Sequence, residues 1–301
     1  MSLLSRLRNA LRFKPGEQRV YIPYRQAGVS VTADTALAFS AVHAAVRIIA
    51  ETLAALPWQV FARLDSGRQS LPNHPVQWFL NHQANPEMSA YVFRRLIVQH
   101  MLLWGNGLAE IERDGAGRVR ALWPLPPDRV TLERAPGGEL LYRVRTDADT
   151  EVRLPRASVL HISDGSYDGL WGASRILLAR RSVGAGIAAD SFAASFYGNG
   201  AAIGGIIVNK GRKLSPEARD FLLGEFNAKY AGPERAHKTM YLDDGHEYVA
   251  GTMPLADQQF LETRRFQVEE ICRWFGVPPH LLQELSEANY AVSYEASKNF
   301  V

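Results

Sequence analysis

The chain has 301 residues, enough for two or three sub-domains, and its apolar and charged fractions, 47% and 22%, are those of a globular protein. No apolar run reaches the roughly 18 residues that span a bilayer, since the richest, 36–56, is interrupted by His43, Arg47 and Glu51, so the chain reads as soluble with no membrane partner. A net charge of +3 and a single cysteine, Cys272, speak against a tight DNA binder, an intrachain disulfide and a multi-cysteine metal site, and suit a reducing cytoplasm.

The opening residues, MSLLSRLRNALRF, put Leu3, Leu4, Leu7 and Leu11 on one helical face and Arg6, Arg8 and Arg12 elsewhere. A signal peptide needs an unbroken apolar core and a small-residue cleavage site, and neither is present. Residues 1–30 therefore read as a flexible or partner-docked basic arm, with a membrane-surface role as the rival. From Thr35 to Leu56, Val42, Ala45, Ile49, Leu53 and Leu56 recur at steps of three or four, which predicts an amphipathic helix ended by Pro57 and followed by a strand over 58–63. Ser89 is placed to cap a second helix whose buried face is Phe93, Leu96, Ile97, His100, Met101 and Trp104, with Gly105 as its stop. His100 reads as a core histidine and Cys272 as a buried helical thiol.

Between Gly107 and Ile162 the pattern changes to short alternating runs separated by DGAG, PLPPD, APGG and DADT turns, a small antiparallel β sub-domain. A long helix rich in alanine and glycine is predicted over 172–197, then a strand at 205–208, the basic hinge NKGRK, and a helix capped by Ser215 and Pro216 that runs to Tyr230. Strands around Met240 and Tyr248 precede a last helix over 257–275, which Gly276 and Pro278 end. The plan of the second half is long helix, small αβ insertion, long helix.

Enzyme signatures fail one after another. GGIIVNKGRK has no phosphate-cradling form, HExxH is missing, and GASRI around Ser174 lacks the second glycine of a nucleophile elbow. DGSYDG, 164–169, begins like a calcium loop, but its twelfth position is Arg175 where an acid is needed, so a turn held by aspartate side chains is expected. Asp243, Asp244, His246 and Glu247 read as a solvated hairpin tip. No catalytic residue, metal or cofactor is expected. The rival readings are a hydrolase built on His161, Asp164 and Asp168, and a monomeric adaptor or scaffold that binds partners.

The order of motifs resembles the phage portal family, the head-to-tail connectors of long-tailed phages. The motifs are AVHAAVRIIAETLAALPWQVF, the HP pair at 74–75, NPEMSAYVFRR, LLWGNGLAEIERD, RVRALWPLPPDRV, VLHI with DGLWGASRI, FYGNGA, LSPEARDFLLGEFNAKYAG, YLDDG, DQQFLETRRFQVEEICRWFGVPPHLL and NYAVSYEASKNF. The resemblance implies a multi-domain α+β portal fold: a wing over 31–171, stem helices at 172–197 and 255–277, a clip at 198–254, and a tunnel loop with the start of a C-terminal wing segment over 278–301. It implies a non-enzymatic subunit of a closed, commonly dodecameric ring in the virion, assembled in the bacterial cytoplasm. Its partners would be double-stranded DNA, the terminase packaging motor, a head-tail adaptor and the major capsid protein. Ser286, Asn289, Tyr290 and Ser293 would lie in the tunnel loop, Lys210, Arg212 and Lys213 in the clip, and Arg264, Arg265 and Arg273 on a stem helix, toward the channel or a neighbour's acids such as Glu262 and Glu269. Family members continue past the position of Val301, so a C-terminally truncated chain or a defective prophage remnant is expected.

Overall fold

The computed structural model describes residues 24–26, 28–147, 150–166, 168–198, 203–209, 214–230, 246–251, 257–284, 298 and 300. Two compact units divide the chain, one made of Met1–Gly184 with Val268–Val301 and the other of Ala185–Gln267. In the first, β1 (Tyr24–Gln26) and β2 (Val29–Val31) pair antiparallel ahead of α1 (Ala33–Leu37). A capping box starts α1: the Thr32 hydroxyl accepts from the Thr35 amide at 3.1 Å while the Thr35 hydroxyl accepts from the Thr32 amide at 2.7 Å.

The helix expected over 35–56 is split, because α2 (Ser40–Ala55) begins afresh after Phe39. Its face also differs from the one expected. Val42 and Ala45 are buried, but Leu53 and Leu56 are exposed and Ala41, Val46, Ala50 and Ala54 take the inward positions. Small side chains there let a neighbouring helix approach closely, which a leucine stripe would prevent.

The strand expected at 58–63 is displaced to β3 (Phe61–Leu64), which pairs with β4 (Gly67–Ser70). The backbone of Trp58 is occupied otherwise. It donates to Asn81 Oδ1 at 2.9 Å and accepts from Asn81 Nδ2 at 2.7 Å and Gln77 Nε2 at 2.9 Å. Those amides sit on α3 (Pro75–Asn81), a short helix with proline in its first turn and the His74 ring as its cap. β5 (Gln83–Asn85) and β6 (Met88–Ser89) then lead to α4 (Ala90–Trp104), capped by Ser89 and stopped by Gly105 at φ +86°, as expected.

Two three-stranded antiparallel sheets follow. β7 (Asn106–Arg113), β8 (Val119–Leu125) and β12 (Val159–Ser163) form one, in the order β12-β7-β8. β9 (Val130–Arg134), β10 (Leu140–Arg145) and β11 (Glu151–Pro155) form the other, in the order β11-β10-β9. Alternation along β7 joins three layers. Leu108 packs with Val130, Leu132 and Tyr142 of the second sheet, and Ala109 packs with Phe93 and Ile97 of α4. The sheet β12-β7-β8 is thus covered on one face by the other sheet and on the opposite face by α4.

The helix expected over 172–197 starts later and is interrupted. α5 (Arg175–Leu178) and α6 (Arg180–Gly198) are separated at Ala179, and Gly172 and Ala173 belong to the preceding turn. The second unit contains β13 (Ile203–Asn209), α7 (Pro216–Tyr230) and β14 (His246–Gly251), with β13 and β14 antiparallel. Ser215 Oγ accepts from the Ala218 amide at 3.2 Å, the cap read from the sequence. The strand expected around Met240 lies outside the described residues. α8 (Asp257–Phe275) has the predicted bounds, and Gly276 ends it at φ +69°. Among the described residues no helix is long and apolar enough to cross a membrane, and no group of three or more His, Cys, Asp or Glu side chains is placed to hold a metal ion.

Candidate functional site

A buried polar constellation lies in the first unit, where the end of α4, the β sheets and the start of α5 converge. Its base is a backbone-to-backbone contact. A Cβ on Gly105 would stand 2.5 Å from the Gly172 carbonyl oxygen, and a Cβ on Gly172 would overlap the Gly105 carbonyl oxygen. Only two glycines permit so close an approach. Asn106, fully buried beside them, holds both backbone polar groups of Gly172: its Oδ1 accepts from the Gly172 amide at 2.8 Å and its Nδ2 donates to the Gly172 carbonyl at 3.1 Å.

A hydrogen-bond chain runs outward from Asn106. His161 Nε2 is 2.9 Å from Asn106 Oδ1, Nδ1 of the same ring is 3.0 Å from the Tyr142 hydroxyl, and Arg156 Nη1 donates to that hydroxyl oxygen at 3.1 Å. Oδ1 is an acceptor, so Nε2 carries the proton and Nδ1 receives the Tyr142 hydrogen. Burial, reinforced by the Arg156 charge, pushes the His161 pKa down to about 4. The ring is therefore neutral at pH 7, and both of its nitrogens are engaged.

Asp164, Ser166 and Asp168 of the DGSYDG turn are likewise engaged. Asp168 Oδ1 accepts from the Leu170 and Trp171 amides, each at 2.8 Å, and the Ser166 hydroxyl, with one hydrogen to donate, lies 2.6 Å from the Trp171 carbonyl oxygen and 2.8 Å from Asp168 Oδ1. Arg175 forms an ion pair with Asp164 and donates to the Phe275 carbonyl at 3.1 Å, which ties the end of α8 to the turn. Burial acts to raise the Asp164 pKa, but hydrogen bonds and charge from Arg175 and the Gly165 amide hold it below the usual carboxylate range. Ser174 caps α5 through the Leu177 amide and donates to the Leu103 carbonyl at 2.5 Å. Three groups weighed for hydrolysis, His161, Asp164 and Asp168, do converge here, and each is engaged in hydrogen bonds or an ion pair within the chain. The arrangement acts as a rigid joint.

A second buried clamp had no signal in the sequence. Arg94, 6% exposed, donates to the Ala54 carbonyl from Nε at 3.0 Å and Nη2 at 2.6 Å, and from Nη1 to the Leu80 carbonyl at 2.8 Å and Asn81 Oδ1 at 2.9 Å. It satisfies carbonyls at the C-terminal ends of α2 and α3, where helix dipoles favour a cation.

Of the residues singled out by the family resemblance, Lys210, Arg212, Lys213, Ser286, Asn289, Tyr290 and Ser293 lie outside the described residues, as do Asp243 and Asp244. Arg264 pairs with Asp190 of α6 at 2.8 Å, and Arg273 with Glu269 and Glu270 of its own helix at 3.0 and 2.7 Å. Arg265 is exposed and makes no ion pair with a described residue. Cys272 is buried, its thiol pushed up to about 11, chiefly by burial.

The joint belongs to a layered α+β body in which α6 begins and α8 ends. The family model "Phage portal protein" matches residues 40–301, and the chain belongs to the phage portal protein family. A probable portal protein of Streptomyces phage phiC31 is 32% identical over 283 residues, 90% of this chain and 61% of the relative. A solved structure described as the virion of a native gene transfer agent particle is similar at a TM-score of 0.60 and 25% identity, covering 87% of this chain and 72% of that one. The crystal structure of an HK97 family phage portal protein from Corynebacterium diphtheriae shares the fold at a TM-score of 0.66 and 18% identity, covering 90% and 86%. The chain spans about three fifths (61%) of the length of the curated relatives it matches.

Proposed function

We propose that the chain is the subunit of a closed ring at a capsid vertex, through which double-stranded DNA is packaged and ejected. The observation that carries this reading is the family match across 40–301, combined with the plan of α6, αβ insertion and α8. In this reading the layered body over 31–171 is the wing, 172–197 and 255–277 are the stem, 198–254 is the clip, and 278–301 holds the tunnel loop. The ring has about twelve subunits, and head-to-tail contacts between two different surface patches close it. Its partners are the packaging motor, the tail adaptor and the capsid shell, and its role is structural and without turnover. The virion is its place of work, after assembly in the host cytoplasm.

Lys210, Arg212 and Lys213 are the clip residues proposed to meet DNA or the motor, and Ser286, Asn289, Tyr290 and Ser293 the tunnel-loop residues that brush the duplex. On the stem Arg265 is favoured over Arg264 and Arg273, whose charges are already paired within the chain. Native mass spectrometry with negative-stain imaging tests the reading. Rings with a hole that admits a roughly 20 Å duplex are expected. A strict monomer at every concentration, for this chain and for one extended past Val301, would overturn it.

A further inference from the structure

The hydrogen-bond chain through His161 crosses between the two β sheets, since Tyr142 belongs to β11-β10-β9 and His161 and Asn106 to β12-β7-β8. We propose that His161 is a proton-operated clasp between those sheets: when neutral it binds the sheet β11-β10-β9 through Tyr142, and when protonated it releases that sheet while keeping its bond to Asn106.

The two nitrogens of the ring respond differently to a proton. Nε2 already donates to Asn106 Oδ1, and protonation strengthens that bond. Nδ1 is the acceptor of the Tyr142 hydrogen, and a proton taken from solvent at that atom converts it to a donor. Tyr142 keeps its own hydrogen, which then has no acceptor, and at 0% exposure no water replaces the lost partner. The phenolic oxygen would also face two cations, the imidazolium and the Arg156 guanidinium, each about 3 Å away. Arg156 and Tyr142 are the charged and titratable groups that face the ring. Trp171, with its ring centre 5.4 Å from that of His161, adds only a weak π contact. Asp164, three residues along, is held by Arg175 and offers the imidazolium no counter-charge. Depression of the His161 pKa to about 4 by burial and by Arg156 agrees with this geometry.

The test uses the whole chain in its native oligomeric state, between pH 7.5 and about 3, so that the scan passes below a midpoint near 4. Histidine C2-hydrogen exchange with peptide mass spectrometry reads the titration of His161, and amide exchange, corrected for its intrinsic pH dependence, reads the strands. The expected result is a His161 midpoint at least one pH unit below 6.5, with exchange in Leu140–Arg145 rising about tenfold below that midpoint while Asn106–Arg113 stays protected. His161→Gln should abolish the acid step in β10. Arg156→Gln, a milder change at the outer end of the chain, should raise the midpoint and so provides a second reading if His161→Gln does not fold. A midpoint near 6.5, an acid step that survives His161→Gln, or a midpoint unmoved by Arg156→Gln would each overturn the proposal.

Discussion

At the residue scale the joint between Gly105 and Gly172 makes the sharpest demand. A methyl group on Gly172 overlaps a backbone oxygen that cannot turn aside, so Gly172→Ala should destabilise the chain by about 3 kcal/mol or more. Gly117 also has a positive φ, +78°, but open space around it, so Gly117→Ala should cost only about 1 kcal/mol. Denaturant melts of the two variants compare steric overlap with backbone strain alone. Arg94→Met leaves the Ala54 and Leu80 carbonyls buried without donors and should cost about 3 kcal/mol. Arg94→Lys should recover little of this, since one ammonium cannot fork to both helix ends. None of these pairings could be read from the sequence. Asn106 meets Gly172 across 66 residues and Arg94 meets Ala54 across 40, separations at which local pattern carries no information. Gly105 was legible as a helix stop and DGSYDG as a turn, but nothing local showed that Gly105 and Gly172 touch.

Legibility at the scale of elements followed the strength of local chemistry. Ser89 and Gly105 bracket α4, and α8 stops at Gly276, because a capping hydroxyl and a left-handed glycine act on their own neighbours. α3 was missed, being seven residues long with its apolar side chains only partly covered. The phase of α2 went wrong because the leucines suggested one stripe while close helix packing selected the alanines. The strand expected at 58–63 begins only at Phe61 for a comparable reason, since side-chain amides of Gln77 and Asn81 take the place of a partner strand at Trp58 and Val60. Gln77→Ala should therefore act locally. It frees the Val60 amide and one bond to the Trp58 carbonyl, so amide exchange across 58–70 should rise about tenfold with little change in the global melt.

For the whole molecule, acid sensitivity follows from two imidazoles. Burial lowers both His100 and His161 from 6.5 to about 4, with Asp128 opposing the shift at His100 and Arg156 adding to it at His161. Between these values the unfolded chain binds protons that the folded chain refuses, so stability is complete above about pH 6.5 and falls as pH drops toward 4. Melting temperature against pH should show this decline, and His100→Leu should roughly halve its slope. In the proposed ring, Arg265→Gln should leave assembly intact and lower the yield of packaged DNA. An effect on assembly instead would place Arg265 at a subunit contact.

The Arg94 clamp also bears on how the fold is reached. The carbonyl ends of α2 and α3 have no partner until the guanidinium arrives, and the guanidinium gains nothing by leaving water until both ends are in place. Helices α2, α3 and α4 are therefore expected to consolidate together, and unfolding kinetics of Arg94→Met, faster than the wild type with a little-changed folding rate, would check it. The same closure resists reopening, because separating any one helix strands a buried cation. The clamp should thus act mainly on the rate of unfolding, giving the layered body persistence in time beyond what its equilibrium stability alone provides.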